Sequence, residues 1–441
     1  MNRNMKKSII FGMATMLMVS CGTAKKNGNN DNASMIDPGE MIDPGFGIVS
    51  DAHRDMAKRN NDFALNLFNK VAGMDSKVIS PISVTYLMSM LANGADGKTR
   101  QEITSTLGWD TAMSETAINK NGEQINSTHK ITIDDINELC KGIITMSGNI
   151  DPATTLKLAN YVAVNKDYKL NPAFKETVSS NYMAEVENLD FSSSKTTSRI
   201  NSWCSKHTDR MIPKIIDNVE PSAISYIMNA VYFNGTWTDK FDKSQTRLEN
   251  FRGYTRDIKK VDMMHQNEKF FYTSNDTFAA VRLPYGNGSF SMTVLLPNEG
   301  KSVFDMMKSL NADKIASLDH DMENCLVDLK LPRFTSTLNL TLNDVISKLG
   351  APSMFSSNAD FSNFADGNLM VSKMIQKAKI EVSEEGTKAA AVTAGIMTMS
   401  ALSPDGPRRV TFHANRPFVY LITERSTGVI LFIGQFTGDS E

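Results

Sequence analysis

Residues Glu384–Pro404 read EEGTKAAAVTAGIMTMSALSP, and from Ala389 to Ser403 there is no charge, no proline and no aromatic ring. Solvated connections favour polar turn formers. Core strands need larger side chains, because alanine and glycine bury little area. The composition suits a segment exposed in one state and held in a close-packed slot in another. A fold for this chain therefore has to provide both. In strand geometry alternate side chains share a face. One face then carries Thr387, Ala389, Ala391, Thr393, Gly395 and Met397, nearly all small. The other carries Lys388, Ala390, Val392, Ala394, Ile396 and Thr398, with the one charge free to face water. Glu384 and Glu385 precede a pivot at Gly386, and Pro404-Asp405-Gly406-Pro407 closes the stretch. Composition alone also allows a surface loop or a short helix.

The 441 residues suffice for two average domains or one large one, and 41% hydrophobic with 22% charged content is that of a globular protein. A net charge of −2 without a basic cluster argues against nucleic acid as a partner. The 27 methionines suit a core that repacks, though genomic bias gives the same count. Basic Asn2–Lys7 followed by apolar Ser8–Val19 reads as a signal peptide, too short to span a membrane permanently. Met18-Val19-Ser20-Cys21 resembles a bacterial lipoprotein box, which implies a lipid on Cys21. The alternative is an ordinary signal peptide with an incidental cysteine. Residues 22–47 are rich in Asn, Asp, Gly and Ser and repeat MIDPG, the composition of a tether. We expect residues 1–20 as signal, 21–49 as tether and 50–441 as one domain, lipid-anchored at a bacterial outer membrane. Cys140, Cys204 and Cys325 cannot all pair and match no metal spacing, so buried free thiols are expected.

Helical spacing covers Asp51–Ala72, with Phe63, Leu67 and Val71 on one stripe. A second helix starts at Ser80 or Pro81 and stops at Asn93-Gly94, a third opens at Lys98, and others cover Asn171–Asn181 and Thr196–Lys206. Thr111–Asp135 is read as helix-rich and lacks a basic cluster, which argues against glycosaminoglycan activation. Strands are expected at Leu156–Val164, Ser225–Phe233, Ala279–Leu283, Phe290–Leu296, Cys325–Leu331, Lys379–Val382, Val410–Phe412, Phe418–Thr423 and Val429–Gln435. Helices early and strands late, without strict alternation, give an α+β fold with largely antiparallel sheets.

The six histidines show no metal-ligand spacing, and there is no GxSxG elbow or phosphate-binding glycine loop. Ser192-Ser193-Ser194-Lys195 matches SxxK without a partner motif. Glu384 and Glu385, adjacent on a strand, would face opposite ways. No enzyme constellation, metal site or cofactor site emerges.

Taken in order, several motifs resemble the serpin family. They are Ser80-Pro81-Ile82-Ser83, Asn93-Gly94-Ala95, Thr99–Ile103, Leu158-Ala159-Asn160 and Asn229-Ala230-Val231-Tyr232-Phe233-Asn234-Gly235-Thr236-Trp237. Leu283-Pro284-Tyr285, Ser291-Met292 with Leu296-Pro297, Leu331-Pro332-Arg333-Phe334, Ala359-Asp360-Phe361-Ser362, Glu384-Glu385-Gly386-Thr387 and Phe412–Phe418 follow. Together they cover roughly Asp51–Phe436. The resemblance implies a serpin fold with an exposed reactive loop, and a monomeric inhibitor that works once. A serine protease cuts the loop and stays esterified to it, and the loop inserts as a new central strand. About fourteen residues at ~3.3 Å each would carry the loop end ~45 Å.

The resemblance makes Glu384, Glu385, Gly386, Thr387, Lys388, Ala389, Ala390 and Ala391 the hinge, with Lys388 standing where acidic residues are usual. It makes Ser80, Ser83, Asn229 and Gln376 a hydrogen-bonded cluster under which the sheet parts, with Gln376 in place of the usual histidine. Phe233 and Trp237 would lie near the sheet top, and Arg333 with Glu384 would form a charge pair closing it. The usual loop length counted from Glu384 puts the reactive bond at Ser400–Ala401. Counting back from Val410 puts it nearer Ser403, so the bracket is Met397, Thr398, Met399, Ser400, Ala401, Leu402 and Ser403. Such residues suit elastase-, chymotrypsin- or subtilisin-like pockets, or papain-like cysteine proteases. The alternative is a non-inhibitory binding or chaperone-like protein whose loop is only a substrate.

Overall fold

The structure, a computed structural model, describes residues 51–118, 124–147, 150–367, 369–387 and 407–439. The hydrophobic pattern sets most of its elements. The amphipathic helix Asp51–Val71 buries Phe63 and Leu67, as its stripe requires. Pro81–Gly94 is apolar on nearly every side, and every residue except Asn93 is buried. A helix of that kind belongs in the centre, and it contacts both sheets. Proline at its first turn leaves no backbone donor wasted. Shorter helices follow at Gly97–Thr106, Ile133–Ser147, Pro172–Tyr182 and Ser194–His207.

Two sheets hold the rest. A six-stranded sheet runs in the order Phe334–Thr341, Lys373–Ser383, Gly386–Thr387, Ser225–Thr236, Thr154–Asn165 and Glu185–Leu189. A nine-stranded sheet is built from the late strands, among them Ile258–Ser274, Phe278–Tyr285, Phe290–Pro297, Glu323–Pro332, Arg409–His413, Phe418–Glu424 and Ile430–Phe436. Most neighbours are antiparallel, and the α+β reading holds. Phe290–Pro297 and Ile430–Phe436 are buried throughout, as expected of strands covered on both faces.

The sequence reading fails at Thr111–Asp135 and misses some strands outright. Thr111–Asp135 is not helix-rich: Ala112–Ile118 and Gln124–Lys130 form an antiparallel two-stranded ribbon, and helix begins only at Ile133. The physical signal is Asn121-Gly122, a hairpin-turn dipeptide, lying among Thr116, Ile118, Ile125 and Thr128. Ile258–Ser274, the longest strand, was also missed, because His265-Gln266-Asn267-Glu268-Lys269 makes its centre read as a polar connection.

Candidate functional site

The six-stranded sheet is closed below and wedged open above. Lys373–Ser383 and Ser225–Thr236 pair directly, in parallel, from Lys373↔Tyr226 to Lys379↔Tyr232. Higher up the two strands no longer touch, because Gly386–Thr387 lies between them, antiparallel to both. Thr387 faces Val382 on one side and Gly235 on the other. The chain reverses through Glu384-Glu385 and re-enters its own sheet for two residues.

Glycine makes that re-entry possible. Gly386 has φ +142°, and a Cβ there would stand 2.1 Å from the Gly235 carbonyl oxygen. Gly235 is equally constrained, since its Cβ would lie 2.8 Å from the Tyr285 ring. Backbone passes backbone because Gly386 lacks a side chain, and the Tyr285 ring packs beside it because Gly235 lacks one.

Backbone bonds then fasten the reversal. Trp237 N donates to Glu385 O at 3.0 Å, Phe241 N to Glu384 O at 3.0 Å, and Trp237 Nε1 to Ser383 O at 2.8 Å. Ser383 Oγ donates to Gly386 O at 3.1 Å. The Glu385 carboxylate meets Lys240 at 2.9 Å and Lys243 at 3.1 Å, and these hydrogen bonds hold its pKa below the ordinary carboxylate value. Trp237 stacks on Tyr285 with ring centroids 4.3 Å apart, and Phe233 meets Tyr285 edge-on at 5.1 Å. Phe233 and Trp237 thus line the top of the opening.

Arg333 and Glu384 are less simply paired than expected. Arg333 Nη1 is 3.5 Å from Glu384 Oε1, but Nη2 is 2.5 Å from Asp262. Glu384 is almost wholly buried and accepts from Thr246 Oγ1 at 2.7 Å. Half-exposed Arg333 is shared between two acids, so the pair is one corner of a network and not a lone bridge.

The expected four-residue polar cluster divides into two. Gln376 Nε2 donates to Ser80 O at 2.7 Å, Gln376 Oε1 accepts from Ser80 N at 3.2 Å, and Ser80 Oγ meets Ser83 Oγ at 2.9 Å. Asn229 stands level with Gln376 across the parallel ladder but does not join it. It donates instead to Asn160 Oδ1 at 2.9 Å, because Asn160 is directly opposite in the neighbouring antiparallel strand. Asn160 in turn donates to Tyr182 O. The other amide atom of Asn229, its buried Oδ1, has no partner among the described residues. An unmet buried acceptor lies at the seam between Ser225–Thr236 and Lys373–Ser383.

Among the described residues no three His, Cys, Asp or Glu side chains could hold a metal. Cys140, Cys204 and Cys325 are free and buried, and burial pushes the first two thiols up to about 12. They are not thiolates at neutral pH. Ser193 of the SxxK match caps the helix Ser194–His207 by accepting from Lys195 N. Lys388, Ala389, Ala390, Ala391, the bracket Met397–Ser403 with Ser400–Ala401, and Cys21 lie outside the described residues. Sequence reasoning missed Tyr285, Thr246, Lys240 and Lys243. Tyr285 was visible only as part of Leu283-Pro284-Tyr285, and nothing local links the others to a hinge so distant in sequence.

A sheet that admits the start of another strand, with a small-residue segment directly after it, defines a class. A family model described as Serpin (serine protease inhibitor) matches residues 58–438. The leukocyte elastase inhibitor of Homo sapiens is 31% identical over 401 residues, covering 87% of this chain and 99% of that protein. Serpin B4 of Homo sapiens is 32% identical over 394 residues, with 87% and 99% covered. The native state of tengpin, a thermophilic serpin, matches with a TM-score of 0.74 at 28% identity, covering 87% of this chain and 94% of that one. The chain belongs to the serpin family. It is a serpin-type protease inhibitor, with a protease as its partner, and not an enzyme in the usual sense.

Proposed function

We propose that the chain inhibits serine endopeptidases by suicide loop insertion, with elastase-, chymotrypsin- or subtilisin-like enzymes as targets. The observation that carries this is Gly386–Thr387 lying between Lys373–Ser383 and Ser225–Thr236. The insertion track is begun, and the residues that would follow are small and free of proline. In this reading the protease cuts within Met397–Ser403, at Ser400–Ala401 by loop length, and forms an ester with the residue before the cut. Its serine oxygen bonds to that carbonyl carbon while the peptide nitrogen leaves with a proton. Insertion then carries the acyl-enzyme away and distorts it before water attacks. Apolar and small residues in the bracket suit the pockets of these proteases, and a relative named for elastase inhibition favours the same class. Incubating the full chain with pancreatic elastase should give a complex that survives boiling in detergent, plus a released C-terminal peptide whose first residue fixes the cut. Clean cleavage without a complex across elastase, chymotrypsin, subtilisin and papain would sink the suicide-insertion reading.

We further propose that the chain is exported and anchored by a lipid on Cys21, at an outer membrane. The basic start, short apolar stretch and Ser20-Cys21 support it. Palmitate labelling in a bacterial host should be strong in the full chain and lost in Cys21→Ser. Equal labelling of both would end the proposal.

A further inference from the structure

We propose that Tyr285 is a positioning residue for the hinge: its hydroxyl holds the first two entering residues inside the sheet, and so sets where insertion begins. The inference rests on the loop-insertion reading. Tyr285 Oη lies 2.6 Å from Thr387 Oγ1, and both residues are fully buried. Tyr285 ends the strand Phe278–Tyr285 of the nine-stranded sheet, whereas Thr387 belongs to the other sheet. The bond therefore ties the hinge to a separate layer, which need not move when the six-stranded sheet parts.

The ring has little freedom. Trp237 stacks on it at an interplanar angle of 11°, Phe233 packs edge-on, and the missing side chain of Gly235 lets it close on the backbone. Thr387 is the one hydrogen-bond partner of this hydroxyl among the described residues. A buried hydroxyl left unpaired is costly, so withdrawal of Thr387 to solvent would orphan the Tyr285 hydroxyl that stays behind. Continued insertion would not, because Thr387 already sits in strand register with both neighbours. The bond opposes withdrawal only. It biases the hinge toward entry without resisting entry.

Two variants remove the bond from opposite ends, Tyr285→Phe and Thr387→Val, and the second keeps the test alive if the first perturbs the core. Native-state hydrogen exchange of residues 383–387, read by mass spectrometry on the full chain, should be protected in the parent. It should quicken about fivefold in either variant, the effect of one net hydrogen bond. The double variant should add nothing more, because one interaction is lost only once. The number of inhibitor molecules consumed per protease captured should rise severalfold, with the association rate unchanged. Unaltered exchange in the single variants, or multiplied effects in the double, would overturn the proposal. So would faster exchange with unaltered stoichiometry in a parent that inhibits. If the parent captures no protease, the loop-insertion reading fails by itself, and exchange alone decides whether Tyr285 holds the hinge.

Discussion

Gly386 is the residue on which entry depends. A methyl at this position has to displace the Gly235 backbone or keep the hinge out. Its φ of +142° adds strain for any L side chain. Gly386→Ala should leave the fold intact, since Lys373–Ser383 and Ser225–Thr236 pair directly without it, but convert the chain largely into a substrate. Titration against elastase should show many molecules cleaved per protease captured, and an unchanged ratio would count against the pivot. The contrast with Gln376 shows what single residues disclose. That Gln376 would supply both a donor and an acceptor was legible, and it does so with Ser80. That Asn229 would turn to Asn160 was not, because the choice depends on which strand lies opposite in the antiparallel ladder.

At the scale of elements, the hinge is fastened by the segment after Ser225–Thr236, through Trp237, Lys240, Phe241 and Thr246. The Lys240 and Lys243 contacts depress the Glu385 pKa, so their contribution is complete above the ordinary carboxylate value of about 4.3 and fades as pH falls through and below it. The carboxylate is about one-third exposed, so salt screens the effect. Exchange of residues 383–387 should hold steady from pH 6 to about 4.3 and quicken below it, after correction for the intrinsic rate, and Lys240→Ala should flatten that change. A pH response that survives Lys240→Ala with Lys243→Ala would place its origin elsewhere. Asp51–Val71 was read correctly from its apolar stripe, and Pro81–Gly94 from its proline start and Asn93-Gly94 stop. The ribbon at Ala112–Ile118 and Gln124–Lys130 was not, because its β-branched residues were outweighed by helix formers nearby. The two-residue strand Gly386–Thr387 is too short to carry any period, and only the resemblance marked it as a hinge.

For the whole molecule, Lys373–Ser383 and Ser225–Thr236 pair directly below and are separated by Gly386–Thr387 above. Under the proposed mechanism, cutting the loop would free its N-terminal part to continue between the strands. The thermal midpoint of the cleaved chain should then exceed that of the intact one by well over the few degrees that a single interaction gives. Scanning calorimetry before and after limited subtilisin cleavage checks this. Equal midpoints would mean that the strands do not part.

The closed part of the seam spans seven register pairs, Lys373↔Tyr226 to Lys379↔Tyr232. Each rung broken there would be replaced by rungs on both flanks of the entering chain, in the antiparallel arrangement that Gly386–Thr387 already shows. Under the proposed mechanism, advance exchanges one set of contacts for two, and retreat must surrender two to regain one. The seam therefore acts as a fuse. In that mechanism its direction is fixed by a count of rungs, and the dose of protease absorbed scales with the number of intact copies present.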